Sequence, residues 1–115
     1  MSFDRIIPVF FFVHCFSIVK FLTYEKLDPE LLKHVTNSSD FVFAEGALPR
    51  KFKLLIGMAF DASYGTVAGV KSLAQQAMDA GATKEEITEA LRVAQYLSGV
   101  GCVYIAAQAL KELFG

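Results

Sequence analysis

The sequence predicts an all-α fold, a small bundle of five or six helices built around an antiparallel pair expected over 49–63 and 66–80. Three observations predict it. From Leu31 onward, apolar residues return every three or four positions, the period of a helix face. Two stretches, Asp28-Pro29-Glu30 and Thr83-Lys84-Glu85-Glu86, carry helix-start chemistry. The N-terminus alone has strand-like composition, and no second strand candidate exists to pair with it.

The first element is that N-terminal stretch. Pro8 lies near the start of an almost unbroken apolar run from Ile6 to Val19 and is placed to open a helix. Fourteen helical residues reach about 21 Å, short of a hydrocarbon core of about 30 Å. Phe21-Leu22-Thr23-Tyr24-Glu25, which follows, lacks the small-x-small pattern of a signal-peptide cleavage site. Residues 1–26 therefore read as an apolar segment ahead of a helical domain over 27–115. Burial in the fold or in an oligomer is the favoured reading. A membrane anchor through residues 6–22 and a mis-assigned start are the alternatives.

Asp28, Pro29 and Glu30 supply an N-cap acceptor, a proline at N1 and an acid in the first turn. Leu31, Leu32 and Val35 give the helix an apolar face. Thr36 to Asp40 are short polar side chains that compete for the backbone, so a turn or frayed join is expected there. Phe41-Val42-Phe43 then form a short helical piece, which Glu45-Gly46-Ala47 breaks.

Leu48-Pro49 opens the next helix, with Phe52, Leu55, Ile56 and Ala59 on its expected buried face and its end near Ser63-Tyr64-Gly65. Small residues at Gly57 and Ala59 would let another helix approach closely. Thr66 is the expected N-cap of its partner, which buries Val70, Leu73, Ala74 and Ala77 and stops at Gly81. Thr83 and Glu86 have the spacing of a capping box. Ile87, Ala90, Leu91, Ala94, Tyr96 and Leu97 continue that helix until Ser98-Gly99-Val100-Gly101 weakens it. A last helix runs from Cys102 to Leu113, with Tyr96 and Tyr104 expected as core or interface aromatics.

Composition bounds the function. One domain of 115 residues holds a modest core. Its apolar fraction of 54 % exceeds what one small bundle hides, so self-association is expected. A net charge of -1 without any basic run argues against nucleic acid. Cys15 and Cys102, 87 residues apart, form no CxxC redox pair and no disulfide framework, and they fit a reducing cytoplasm. His14 and Cys15 are neighbours that point about 100° apart on a helix and so do not face one another. His34, beside Lys33 and Val35, reads as solvated. With two isolated histidines and two isolated cysteines, no metal site or cofactor is expected.

Three stretches together resemble the carboxymuconolactone decarboxylase family, which includes the AhpD-like peroxidase-reductases. Lys51-Phe52-Lys53-Leu54-Leu55-Ile56 is similar to the family's Lys-x-Lys-Glu-Leu-Ile helix start. Ala80-Gly81-Ala82-Thr83-Lys84-Glu85-Glu86-Ile87 matches its Ala-Gly-Ala-Thr/Ser-x-Glu-Glu-Ile element, and Ser98-Gly99-Val100-Gly101 is similar to its Gly-Gly-x-Pro-like break. The resemblance covers roughly Leu27 to Leu113. It implies an AhpD-like helical bundle assembled as a homotrimer or homohexamer. It also implies a Cys-x-x-Cys-x-x-x-His turn, with a glutamate from the preceding helix.

That chemistry depends on residue type. A thiolate is stabilised at a helix N-terminus, a second thiol one turn later resolves it, and an imidazole and a carboxylate move the proton. Aligned without gaps, the two thiols fall on Thr66 and Gly69, the imidazole on Leu73 and the carboxylate on Leu54. No register slip restores them, because residues 49–100 contain neither Cys nor His.

Asp61, Ser63, Tyr64 and Thr66 cluster in sequence at the same turn. They form either a rebuilt polar pocket with Asp61 as base or ordinary helix-end chemistry. Several functions are compatible with these residues. The first is a family member without the redox site, which binds a small apolar or lactone-like ligand or acts as a scaffold. The second is a decarboxylase-type enzyme with an inter-subunit pocket and a proton donor among Asp61, Tyr64 and Glu45. Residual peroxiredoxin-type activity and membrane association through the N-terminus complete the set.

Overall fold

The computed structural model describes residues 15–115. The expectations for Pro8, His14 and the apolar run up to residue 14 lie outside them. The described residues form six helices and no strand. They are α1 (Cys15–Leu27), α2 (Pro29–Phe43), α3 (Arg50–Tyr64), α4 (Val67–Asp79), α5 (Lys84–Ser98) and α6 (Gly101–Phe114). The chain divides into two compact units, one ending at Glu45 and the other comprising Gly46–Gly115. None of the described helices is long and apolar enough to cross a membrane.

In the first unit, α1 packs on α2, and Asp28 punctuates the pair. Its carboxylate oxygen accepts from the Leu31 N–H at 3.0 Å and satisfies one of the orphan donors of α2, with Pro29 behind it. The expected turn at Thr36 to Asp40 is absent, because α2 runs unbroken from Pro29 to Phe43. Each Ser or Asn there disfavours a helix by only about 0.5 kcal/mol relative to alanine. The half-buried positions Leu32, Thr36 and Phe43 hold one helical face across the polar stretch. No residue of α2 is fully buried.

In the second unit, α3 is central and touches α4, α5 and α6. Leu54, Met58, Val70 and Ile87 are its largest fully buried side chains. Each contributes roughly 1.5–3 kcal/mol through removal from water. The buried face of α3 is Leu54, Leu55, Met58 and Ala62, whereas Phe52 and Ile56 are exposed. This corrects the expected face. The apolar residues of α3 form two overlapping stripes, and the stripe that meets three neighbouring helices is the one buried. On α4, Val70, Ala74 and Ala77 are buried as expected and Leu73 is half-buried. Tyr96 and Tyr104 are exposed and so do not belong to this core.

Side-chain bonds set the direction of the helices. Arg50 Nη2 donates to Gln76 Oε1 at 3.4 Å, which places the start of α3 beside the end of α4 and makes them antiparallel. Lys51 Nζ lies 3.2 Å from Glu86 Oε2, at the starts of α3 and α5. Ser63 Oγ lies 3.1 Å from Ser98 Oγ, at their ends. Both pairs are 35 residues apart, so α3 and α5 run parallel and in register.

Glu86 serves two purposes. Its Oε1 accepts from the Thr83 N–H at 3.0 Å while Thr83 Oγ1 accepts from the Glu86 N–H at 3.1 Å, completing the capping box. The Thr83 backbone N–H, and then the Lys51 ammonium, hold the Glu86 carboxyl below its usual 4.5.

Candidate functional site

The turn between α3 and α4 consists of Gly65 and Thr66. Gly65 adopts φ 83°, where a Cβ would be strained, and its N–H donates to Ala62 O at 3.3 Å. The Thr66 N–H reaches back to Asp61 O at 2.9 Å, which gives α3 a Schellman end. Thr66 stands at the N-cap of α4, as expected, but its side chain makes no cap hydrogen bond.

Asp61 shapes this end of α4. A Cβ built on Gly69 would lie 2.1 Å from Asp61 Oδ2, 2.7 Å from Asp61 Cγ and 3.1 Å from Thr66 Cγ2. The half-buried carboxylate of Asp61 therefore occupies the space that any side chain at position 69 would need. Gly69 lies in the first turn of α4, where unpaired N–H groups and the helix dipole favour negative charge. The preceding helix thus delivers an anionic group to the helix end at which Thr66 offers no side-chain bond.

The structure brings together Asp61, Thr66 and Gly69 and separates the other candidates. Ser63 Oγ lies 2.9 Å from Ala59 O as well as near Ser98, so its single hydrogen serves one acceptor at a time. Ser98 Oγ in turn donates to Ala94 O at 2.7 Å. Tyr64 is 78 % exposed and stacks on Phe60 with ring centroids 6.3 Å apart. Leu54 is fully buried, Leu73 is half-buried, and neither can move a proton. Glu45 lies in the other unit.

The sequence reading missed two partnerships. Ser98 meets Ser63 across 35 residues, which no local spacing announces. The Asp61–Gly69 approach had a faint signal in the glycine itself. Inside a helix, glycine is about 1 kcal/mol worse than alanine, and such a position often marks a close approach. Among the described residues no cluster of three or more His, Cys, Asp or Glu could hold a metal ion. The arrangement offers a carboxylate and a hydroxyl at a helix N-terminus. Cys102, in the first turn of α6, is 3 % exposed.

The profile of the carboxymuconolactone decarboxylase family matches residues 29–112. An uncharacterized protein of Methanocaldococcus jannaschii is 31 % identical over 87 residues, covering 76 % of this chain and 81 % of that protein. No solved structure matches the chain.

Proposed function

Because the chain belongs to the carboxymuconolactone decarboxylase family, we propose that it keeps the family's helical frame without the thiol redox chemistry. In this reading it is a self-associating cytoplasmic protein that binds a small apolar or lactone-like molecule or serves as a scaffold. The observation that carries it is the Asp61 carboxylate against Gly69. A Cβ at position 69 would lie 2.1 Å from Asp61 Oδ2, so a resolving cysteine there would require the Asp61 carboxylate to move. The buried Leu54 and the half-buried Leu73 support the same reading, because proton transfer needs a titratable group at those positions. The free thiol of Cys102 suits a reducing compartment.

The test is hydroperoxide consumption with a dithiol reductant. Wild-type protein is expected to show no turnover above the protein-free control. Cys102 should react slowly with an alkylating agent in the native state and rapidly after unfolding, because its sulfur is shielded. Hydroperoxide turnover that Cys102→Ser abolishes would overturn the proposal and make Cys102 the redox centre.

One observation supports a second reading, a decarboxylase-type enzyme. Asp61 is drawn to the turn that carries the family's chemistry and so could contact a ligand bound there. A helix N-terminus favours a charged carboxylate, which suits it to accept a hydrogen bond or proton rather than to donate one. Turnover of a γ-lactone carboxylic acid, lost in Asp61→Asn, would establish this reading in place of the first.

A further inference from the structure

We propose that the outer surface of the parallel α3–α5 pair is the face through which a second copy of this chain docks. The inference rests on the self-association reading above and assigns that association to particular residues.

Charge is missing from two stretches of the sequence. Residues 93–110 contain no Asp, Glu, Lys, Arg or His. On α3, no charged residue lies between Leu54 and Phe60. Yet much of this uncharged sequence is at the surface. Ile56, Phe60 and Tyr64 are exposed along one line of α3, spaced four residues apart. Val93, Leu97 and Val100 are exposed at the end of α5 and the join that follows. A solvated helix face ordinarily carries charge, whereas the centre of an interface is depleted of it.

The parallel register joins the two lines. Residue n of α3 lies beside residue n + 35 of α5, so Phe60 stands level with Gln95, between Val93 and Leu97. On a helical wheel, the Ile56–Phe60 line and the Val93–Leu97 line flank the seam where the two helices meet. The exposed area of these six residues is roughly 750 Å², taking about 200 Å² for each large side chain. Monomers seldom leave a patch of more than a few hundred Å² open, and a stable interface takes about 800 Å² from each partner. With Phe52, also exposed, at its margin on α3, the face approaches that size. Charge on this face is confined to its start, at Lys51, Lys53, Glu86 and Glu89, and the apolar remainder is complementary to itself, which suits a two-fold contact between identical surfaces.

The experiment is light scattering of the full chain at micromolar concentration, for wild type and for Phe60→Arg and Leu97→Arg. Phe60 is 57 % and Leu97 76 % exposed, so a charge at either site leaves the core intact, which circular dichroism checks. If either variant unfolds, Phe60→Ser and Leu97→Ser replace it. Gln108→Arg, an exposed change on α6, is the control. The expected result is an oligomeric wild type and control, with the dissociation constant raised at least about tenfold by each face variant. An oligomeric wild type that the face variants leave unchanged overturns this assignment and spares self-association. A monomeric wild type overturns both.

Discussion

Replacing Gly69 with alanine tests the central feature of the site. The new Cβ would lie 2.1 Å from Asp61 Oδ2 and 2.7 Å from its Cγ, far inside van der Waals contact, so the Asp61 side chain must swing away. Two opposing effects follow. Alanine stabilises a helix interior by about 1 kcal/mol relative to glycine. Moving the carboxylate off the helix end loses about 0.3–1 kcal/mol of interaction with the dipole. An off-rotamer side chain costs about a further 0.5–1.5 kcal/mol. Gly69→Ala alone should therefore be neutral to mildly destabilising. In an Asp61→Ala background the clash is gone, and the same change should stabilise by about 1 kcal/mol. The coupling between the sites is then about 1–2 kcal/mol, well above the roughly 0.3–0.5 kcal/mol scatter of independent sites. Urea unfolding of the wild type, both single variants and the double variant measures it. Effects that add within that scatter would refute the reasoning, because they would mean the carboxylate does not occupy the space beside Gly69.

Other predictions concern the second helix start and its acid. Thr83→Ala removes the acceptor for the Glu86 N–H and should cost about 1 kcal/mol in chemical denaturation. The Glu86 carboxyl is held below 4.5, so its contribution to stability is present above the unfolded-state value and is lost as pH falls through the lower folded-state value. Glu86→Gln should therefore flatten the stability profile below about pH 5, and an unchanged acid limb would count against the Thr83 and Lys51 contacts. Lys51→Met should weaken the same acid limb less, because the Thr83 N–H remains.

The parts of the fold legible in sequence were those set within one turn of helix. Asp28 and Thr83 both bond to the backbone three residues ahead, and their residue types and spacing state that bond directly. Gly81, at φ 102°, is the stop expected between α4 and α5. The polar stretch from Thr36 to Asp40 misled because local competition for the backbone is weak. Half-buried contacts on either side of it carried the helix through.

By itself, then, the sequence determined the all-α class, the helix starts at Asp28 and Thr83, the stop at Gly81, and the absence of Cys and His between 49 and 100. It also marked the turn around Thr66 as the place where the family's chemistry would sit. Only the tertiary structure decided which stripe of α3 is buried, that α3 and α5 run parallel in register, and that Ser63 turns to Ser98 while Asp61 covers Gly69. The division has a physical cause. Capping and periodicity act over three or four residues and are written in adjacent letters. A helix with two apolar stripes can bury either, and the choice belongs to neighbours that the chain returns only many residues later.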